Sequence, residues 1–155
     1  AYNVSRQFEK TLETTDKVLK MDANFVIAQH YKARALFFLG KREEAFELYR
    51  KVVANSNGSA FFKADLGFLY GKAENETEAR KILAELIQTS KEKYVAPSHF
   101  AYLHLGLNER EKAFEYLRKS VAERDSNVIL LKAGINFDDV RDDPQFIEIM
   151  RSANF

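Results

Sequence analysis

Residues 66–87, LGFLYGKAENETEARKILAELI, decide how the rest of the chain is read. Displaced in either direction by a period of about 34 residues, their small side chains fall on small side chains again. Ala33, Gly67 and Ala101 form one series, and Ala45, Ala79 and Ala113 form another. Ala and Gly together supply 24 of the 155 residues. Six registered sites landing on them by chance has odds on the order of one in 10⁵, before about a 34-fold allowance for the choice of register. The chain is therefore a repeat. Its expected fold is all-α, a helical solenoid.

Working outward, the quoted unit spans residues 59–92 and pairs a helix at 60–72 with one at 76–92; Asn75 and Glu78 stand at capping-box spacing. The preceding unit, 25–58, has a first helix ended by Gly40, the residue suited to a left-handed turn. Its second helix, 41–54, places Ala45, Leu48, Tyr49, Val52 and Val53 on one face, and the run Asn55-Ser56-Asn57-Gly58-Ser59 closes it. The following unit, 93–125, pairs 97–107 with 109–124; Pro97 suits a first helical turn, and Asn108 and Glu111 repeat the capping spacing.

The two ends differ. Residues 1–24 read as a truncated repeat: Thr11 stands one period before Ala45, and Tyr2 stands one period before Leu36. Phe8, Leu12, Thr15, Val18 and Leu19 recur at helical spacing. A half-built terminal repeat and a start at Ala lead to the expectation that further protein precedes Ala1. Residues 126–155 read as a helical cap over the last repeat. Val128, Ile129, Leu130 and Leu131 suggest a short buried helix, Gly134 breaks it, and Asp143-Pro144 starts a last helix bearing Phe146, Ile147, Ile149 and Met150.

Bulk composition agrees with one domain of this kind. A chain of 155 residues with 46% hydrophobic content can bury a sizeable core. With 24 basic and 23 acidic side chains the net charge is +1, which argues against nucleic acid and polybasic membrane attachment. Cysteine is absent, excluding disulfides and thiolate metal sites. The longest apolar run, 35–39, falls far short of the roughly 20 residues of a membrane span.

The same positions carry a family resemblance. Leu66-Gly67-x-x-Tyr70 matches the first-helix signature of the tetratricopeptide repeat (TPR), and Ala45-x-x-x-Tyr49, Ala79-x-x-x-Leu83 and Ala113-x-x-x-Leu117 match the second. Lys32-Ala33-x-x-Leu36 and Phe100-Ala101-x-x-His104 are looser, and the closing proline is absent. The resemblance implies a right-handed superhelix of antiparallel helix pairs that touch at these small residues. Tyr94-Val95-x-Pro97, Lys112-Ala113-Phe114, Glu123-Arg124-Asp125 and Arg141-Asp142-Asp143-Pro144-x-Phe146 resemble the C-terminal TPR arrays of bacterial multidomain regulators. In that group a kinase, winged-helix or cyclase effector precedes the array.

Candidate chemistry is sparse. His99 and His104, five residues apart, are turned about 140° from each other on a helix and do not share a metal. His104 stands where an aromatic normally packs and reads as a hydrogen-bonded core histidine. Asp138, Asp139, Asp142 and Asp143 lack the alternate spacing and glycine of a calcium loop and read as a turn and a helix cap. No phosphate loop, nucleophile elbow or Cys–His pair occurs in the sequence. The chain is expected to be no enzyme and to need no metal or cofactor.

Function is expected on the concave face, which the resemblance assigns to the first helix of each unit. The stacked rows are Ile27, Phe61, Val95; His30, Ala64, Ser98; Arg34, Phe68, Tyr102; and Phe38, Lys72, Gly106. Ile27, His30, Arg34, Phe38, Phe61, Phe68, Lys72 and Tyr102 are thus the candidates to hold a protein or peptide segment by apolar anchors. The alternative at these positions is packing against neighbouring helices. A different alternative is a structural unit, a homodimer paired through Phe8, Leu12 and Leu19.

Overall fold

The computed structural model describes residues 7–131 and 134–154, so Tyr2 lies outside the described residues. The described residues are all-helical, with no strand among them. Among the described residues eight α-helices follow one another: α1 (Phe8–Met21), α2 (Val26–Phe38), α3 (Arg42–Asn55), α4 (Ala60–Lys72), α5 (Glu76–Ser90), α6 (Pro97–Gly106), α7 (Arg110–Ala122) and, after two 3₁₀ helices at Ser126–Leu131 and Ile135–Val140, α8 (Pro144–Ser152). The chain forms two compact units, Ala1–Leu66 and Gly67–Phe155, divided within α4.

The sequence period reappears in the backbone. Helices α1, α3, α5 and α7 begin at Phe8, Arg42, Glu76 and Arg110, each one period after the last; α2 and α4 begin and end one period apart. The turns repeat as well. Gly40, Glu74 and Asn108 are all left-handed, with φ of 83°, 61° and 59°. In each turn the next residue's N–H reaches back to the last turn of the helix: Lys41 donates to Leu36 O, Asn75 to Tyr70 O and Glu109 to His104 O, all at 2.9 Å. This six-to-one bond satisfies a helix-end carbonyl and ends the helix sharply. Asn108 is thus the left-handed residue of its turn, and Glu109 stands at the N-cap of α7 without a side-chain cap bond. Asn75 does cap α5, accepting from the Glu78 N–H at 3.3 Å.

The six registered small residues are all buried. A Cβ on Gly67 would stand 2.8 Å from Leu103 Cδ1, so the small residue is a condition of the packing.

In the first unit α2 packs on both α1 and α3, and in the second α6 packs on both α5 and α7. Both central helices are therefore largely enclosed: every residue of α6 is buried, and so are seven of the 13 residues of α2. Helices α3, α5 and α7 instead keep one charged face in water, with Glu43, Glu47, Lys81, Glu85, Glu111 and Glu115 exposed.

The C-terminal segment lies on the second unit. α8 packs on α7, the first 3₁₀ helix on α7 and the second on α6. Asp143 caps α8 by accepting the Gln145 N–H at 2.9 Å, with Pro144 in the first turn. The expected helix at 128–131 is part of the 3₁₀ helix, the side chains of 129–131 lying outside the described residues. Asp125 anchors this end. It is buried and accepts from Ser98 N–H (3.0 Å), Ser120 Oγ (3.1 Å), Asn127 N–H (2.9 Å) and Asn127 Nδ2 (3.0 Å). Burial alone would raise its pKa; these bonds hold it below the usual carboxylate value.

Candidate functional site

In the first unit four polar side chains from α2, α3 and the start of α4 meet in the interior. Arg34 pairs with Asp65 Oδ1, and the Tyr49 hydroxyl donates to Asp65 Oδ2 at 2.6 Å. His30 Nδ1 lies 2.7 Å from the same hydroxyl. The hydroxyl proton goes to the carboxylate, so the network assigns the His30 proton to Nδ1, which donates to Tyr49. The rings of Tyr31, Tyr49, Phe61 and Phe62 surround the imidazole at 4.9 to 5.8 Å between centroids.

Electrostatics follow from that enclosure. Burial pulls the His30 pKa down to about 4, against the opposing pull of Asp65, so the ring is neutral near pH 7. Burial acts to raise Asp65, but the Arg34 guanidinium overcomes it and holds the carboxyl at about 2. Burial also raises Tyr49 well above its ordinary value, so it remains a neutral donor. A buried guanidinium paired with a hydrogen-bonded carboxylate ties three helices to one register.

The other candidates of this unit divide. Ile27 and Tyr31, one turn apart on α2, are 45% and 52% exposed. Phe38 is half-buried and stacks on Phe8 at 5.1 Å, with the Arg34 guanidinium 5.7 Å from its ring. Phe61 is half-buried beside Phe62 and His30. Leu12 and Leu19, with Phe8, are half-buried. Met21, the last residue of α1, and Phe25, at the N-cap of α2, are exposed on either side of the α1–α2 turn.

In the second unit Phe68 and Tyr102 are enclosed, 1% and 2% exposed. The Tyr102 ring meets Phe137 edge-on at 5.4 Å. Lys72 lies over the Phe68 ring at 5.6 Å and pairs with Asp139. Lys72 thus joins Phe68, and the second 3₁₀ helix touches both Lys72, through Asp139, and Tyr102, through Phe137. His104 is a buried histidine 2.6 Å from Glu109 and stacked on Tyr116. Burial lowers its pKa, so it donates as a neutral ring to a carboxylate.

In the same unit a cleft of about 410 Å³ opens between α5, α6 and α7, with Ile87, Tyr94, Phe100 and Tyr116 in its wall. Among the described residues no three His, Asp or Glu side chains converge to hold a metal ion. No described helix is long and apolar enough to cross a membrane.

The described residues define an all-helical protein whose helices pack in neighbouring pairs. Compared with known proteins, the chain matches no family model, no curated protein and no solved structure.

Proposed function

We propose that the chain is a TPR-type right-handed solenoid acting as a non-catalytic interaction module, the scaffold or sensor part of a larger bacterial regulator. The repeat reading is supported by helix starts and left-handed turns that recur once per period. The functional reading rests on Ile27 and Tyr31. They lie one turn apart and stay exposed on a helix whose remaining faces are largely covered. An aliphatic and an aromatic side chain presented together on a rigid helix suit a peptide segment anchored by apolar residues. The buried network beneath them fixes their backbone, which lowers the ordering cost on binding.

The burial of Phe68 and Tyr102 moves the test away from those two residues. A displayed peptide library is panned against the parent chain and against Ile27→Ser/Tyr31→Ser, whose substitutions lie at the surface. Peptides with aromatic or aliphatic anchors that bind the parent and lose at least ten-fold on the variant support the reading, provided the two chains melt alike. Equal recovery on both overturns the site.

A further inference from the structure

We propose that Phe68, Lys72 and Tyr102 form a receptor for a short acidic peptide with an aromatic residue two positions before an aspartate, and that the chain's own Ile135–Val140 segment is its tethered occupant. The inference rests on the reading of the first helices as peptide-binding elements and names the ligand of one of them.

Phe68 and Tyr102 hold the same place in successive repeats, and Lys72 follows Phe68 by one turn. Against them the segment places two side chains. Phe137 is buried between the Tyr102 edge at 5.4 Å and the Phe146 ring at 5.6 Å. Asp139, two residues on, pairs with Lys72, whose ammonium is already held over the Phe68 ring. An aromatic anchor in an aromatic wall and a carboxylate on a lysine are the two halves of a peptide-recognition contact.

The segment is also organised by itself, as a ligand loop is. Arg141 closes it, donating from Nε to Asp138 Oδ1 and from Nη2 to Gly134 O, each at 2.8 Å. The Phe137 N–H donates to Gly134 O at 3.2 Å. Three hydrogen bonds thus lie within residues 134–141, and the loop's grip on α4 and α6 includes side-chain contacts that a foreign peptide can reproduce. Asp139 keeps most of its side chain in water, 62% exposed, so this half of the contact exchanges without opening the core. Lys72 supplies the charge complementarity that selects an acidic peptide.

The probe is a fluorescein-labelled peptide of residues 134–143, GINFDDVRDD, titrated by anisotropy against the full chain. The Asp139→Lys chain, altered at an exposed position, is expected to bind it at least three-fold more tightly than the parent. The peptide carrying Phe137→Ala is expected to bind neither chain. The Phe137→Ala chain should open the receptor further; its melting curve shows whether it folds, and the Asp139→Lys comparison stands without it. Equal affinity for parent and Asp139→Lys, binding that survives Phe137→Ala in the peptide, or no binding to either chain overturns the proposal. None of these results touches the Ile27/Tyr31 test, which reads a different helix in the other unit.

Discussion

Gly71 of α4 and Gly106 of α6 meet backbone to backbone. A Cβ built on Gly71 would stand 2.4 Å from the carbonyl carbon of Gly106, and one on Gly106 would stand 2.6 Å from the Cα of Phe68. Both neighbours are main chain, so neither can swing aside. The two helices approach this closely because neither carries a side chain at the crossing.

Gly71→Ala should therefore destabilise the protein although alanine is the better helix former. The propensity gain is about 1 kcal/mol. Forcing two packed helices apart costs roughly 1–3 kcal/mol and also disturbs the wall formed by Phe68. Urea denaturation is expected to show a net loss; a variant as stable as the parent would mean that α4 and α6 do not cross here.

The turns invite the opposite change. Glu74 adopts the left-handed conformation that Gly40 adopts one repeat earlier, and it is exposed. A non-glycine residue there carries a cost on the order of 1 kcal/mol. Glu74→Gly should raise stability by about that much, and Gly40→Ala should lower it similarly. Thermal melting of the two variants must move in opposite directions for the shared turn geometry to hold.

These positions also show what was legible in the sequence. Composition at a fixed interval exposed the small residues, because close helix contact admits few side chains. Gly40 announced its turn, but Glu74 and Asn108 did not. A left-handed residue held by its place in a repeat has no local signal, and Asn108 resembles an N-cap. The rows of first-helix residues were legible as rows; their burial was not. Both Phe68 and Tyr102 are enclosed, Tyr102 against Phe137, and the run Ile135–Val140 has too short a period to say where it docks. Asp65 escaped notice because a single acid in an apolar helix looks like a surface residue until Arg34 and Tyr49 are placed beside it.

The Arg34–Asp65 pair predicts a non-additive cycle. Arg34→Met leaves the Asp65 carboxylate buried with no guanidinium, and Asp65→Leu leaves the guanidinium without its carboxylate. Each should cost about 3–5 kcal/mol. Arg34→Met/Asp65→Leu removes both charges and should recover at least half of the summed loss. Denaturation of the three variants gives the coupling, and simple additivity would contradict a shared buried pair.

His30 makes the last prediction, one about pH. Its pKa falls from an ordinary 6.5 to about 4 in the folded chain, chiefly through burial. The unfolded chain therefore takes up the proton more readily than the folded one. The stability that this histidine contributes is complete above pH 6.5 and is lost as the pH falls toward 4. A shift of that size corresponds to roughly 3 kcal/mol. Asp65, depressed to about 2, withdraws its own contribution only below its ordinary 3.8, so the two windows are separate. Burial also lowers His99 and His104 from the ordinary histidine value, so the parent's slope alone does not isolate His30. His30→Gln does, because the amide can still donate to the Tyr49 hydroxyl and carries no titrating group. Urea denaturation of both chains at intervals between pH 7 and 4 should give curves that converge on acidification, the parent losing about 3 kcal/mol more than the variant. Parallel curves would mean that the imidazole is protonated as easily inside the protein as outside, and that the enclosure by Tyr31, Tyr49, Phe61 and Phe62 is not closed to water.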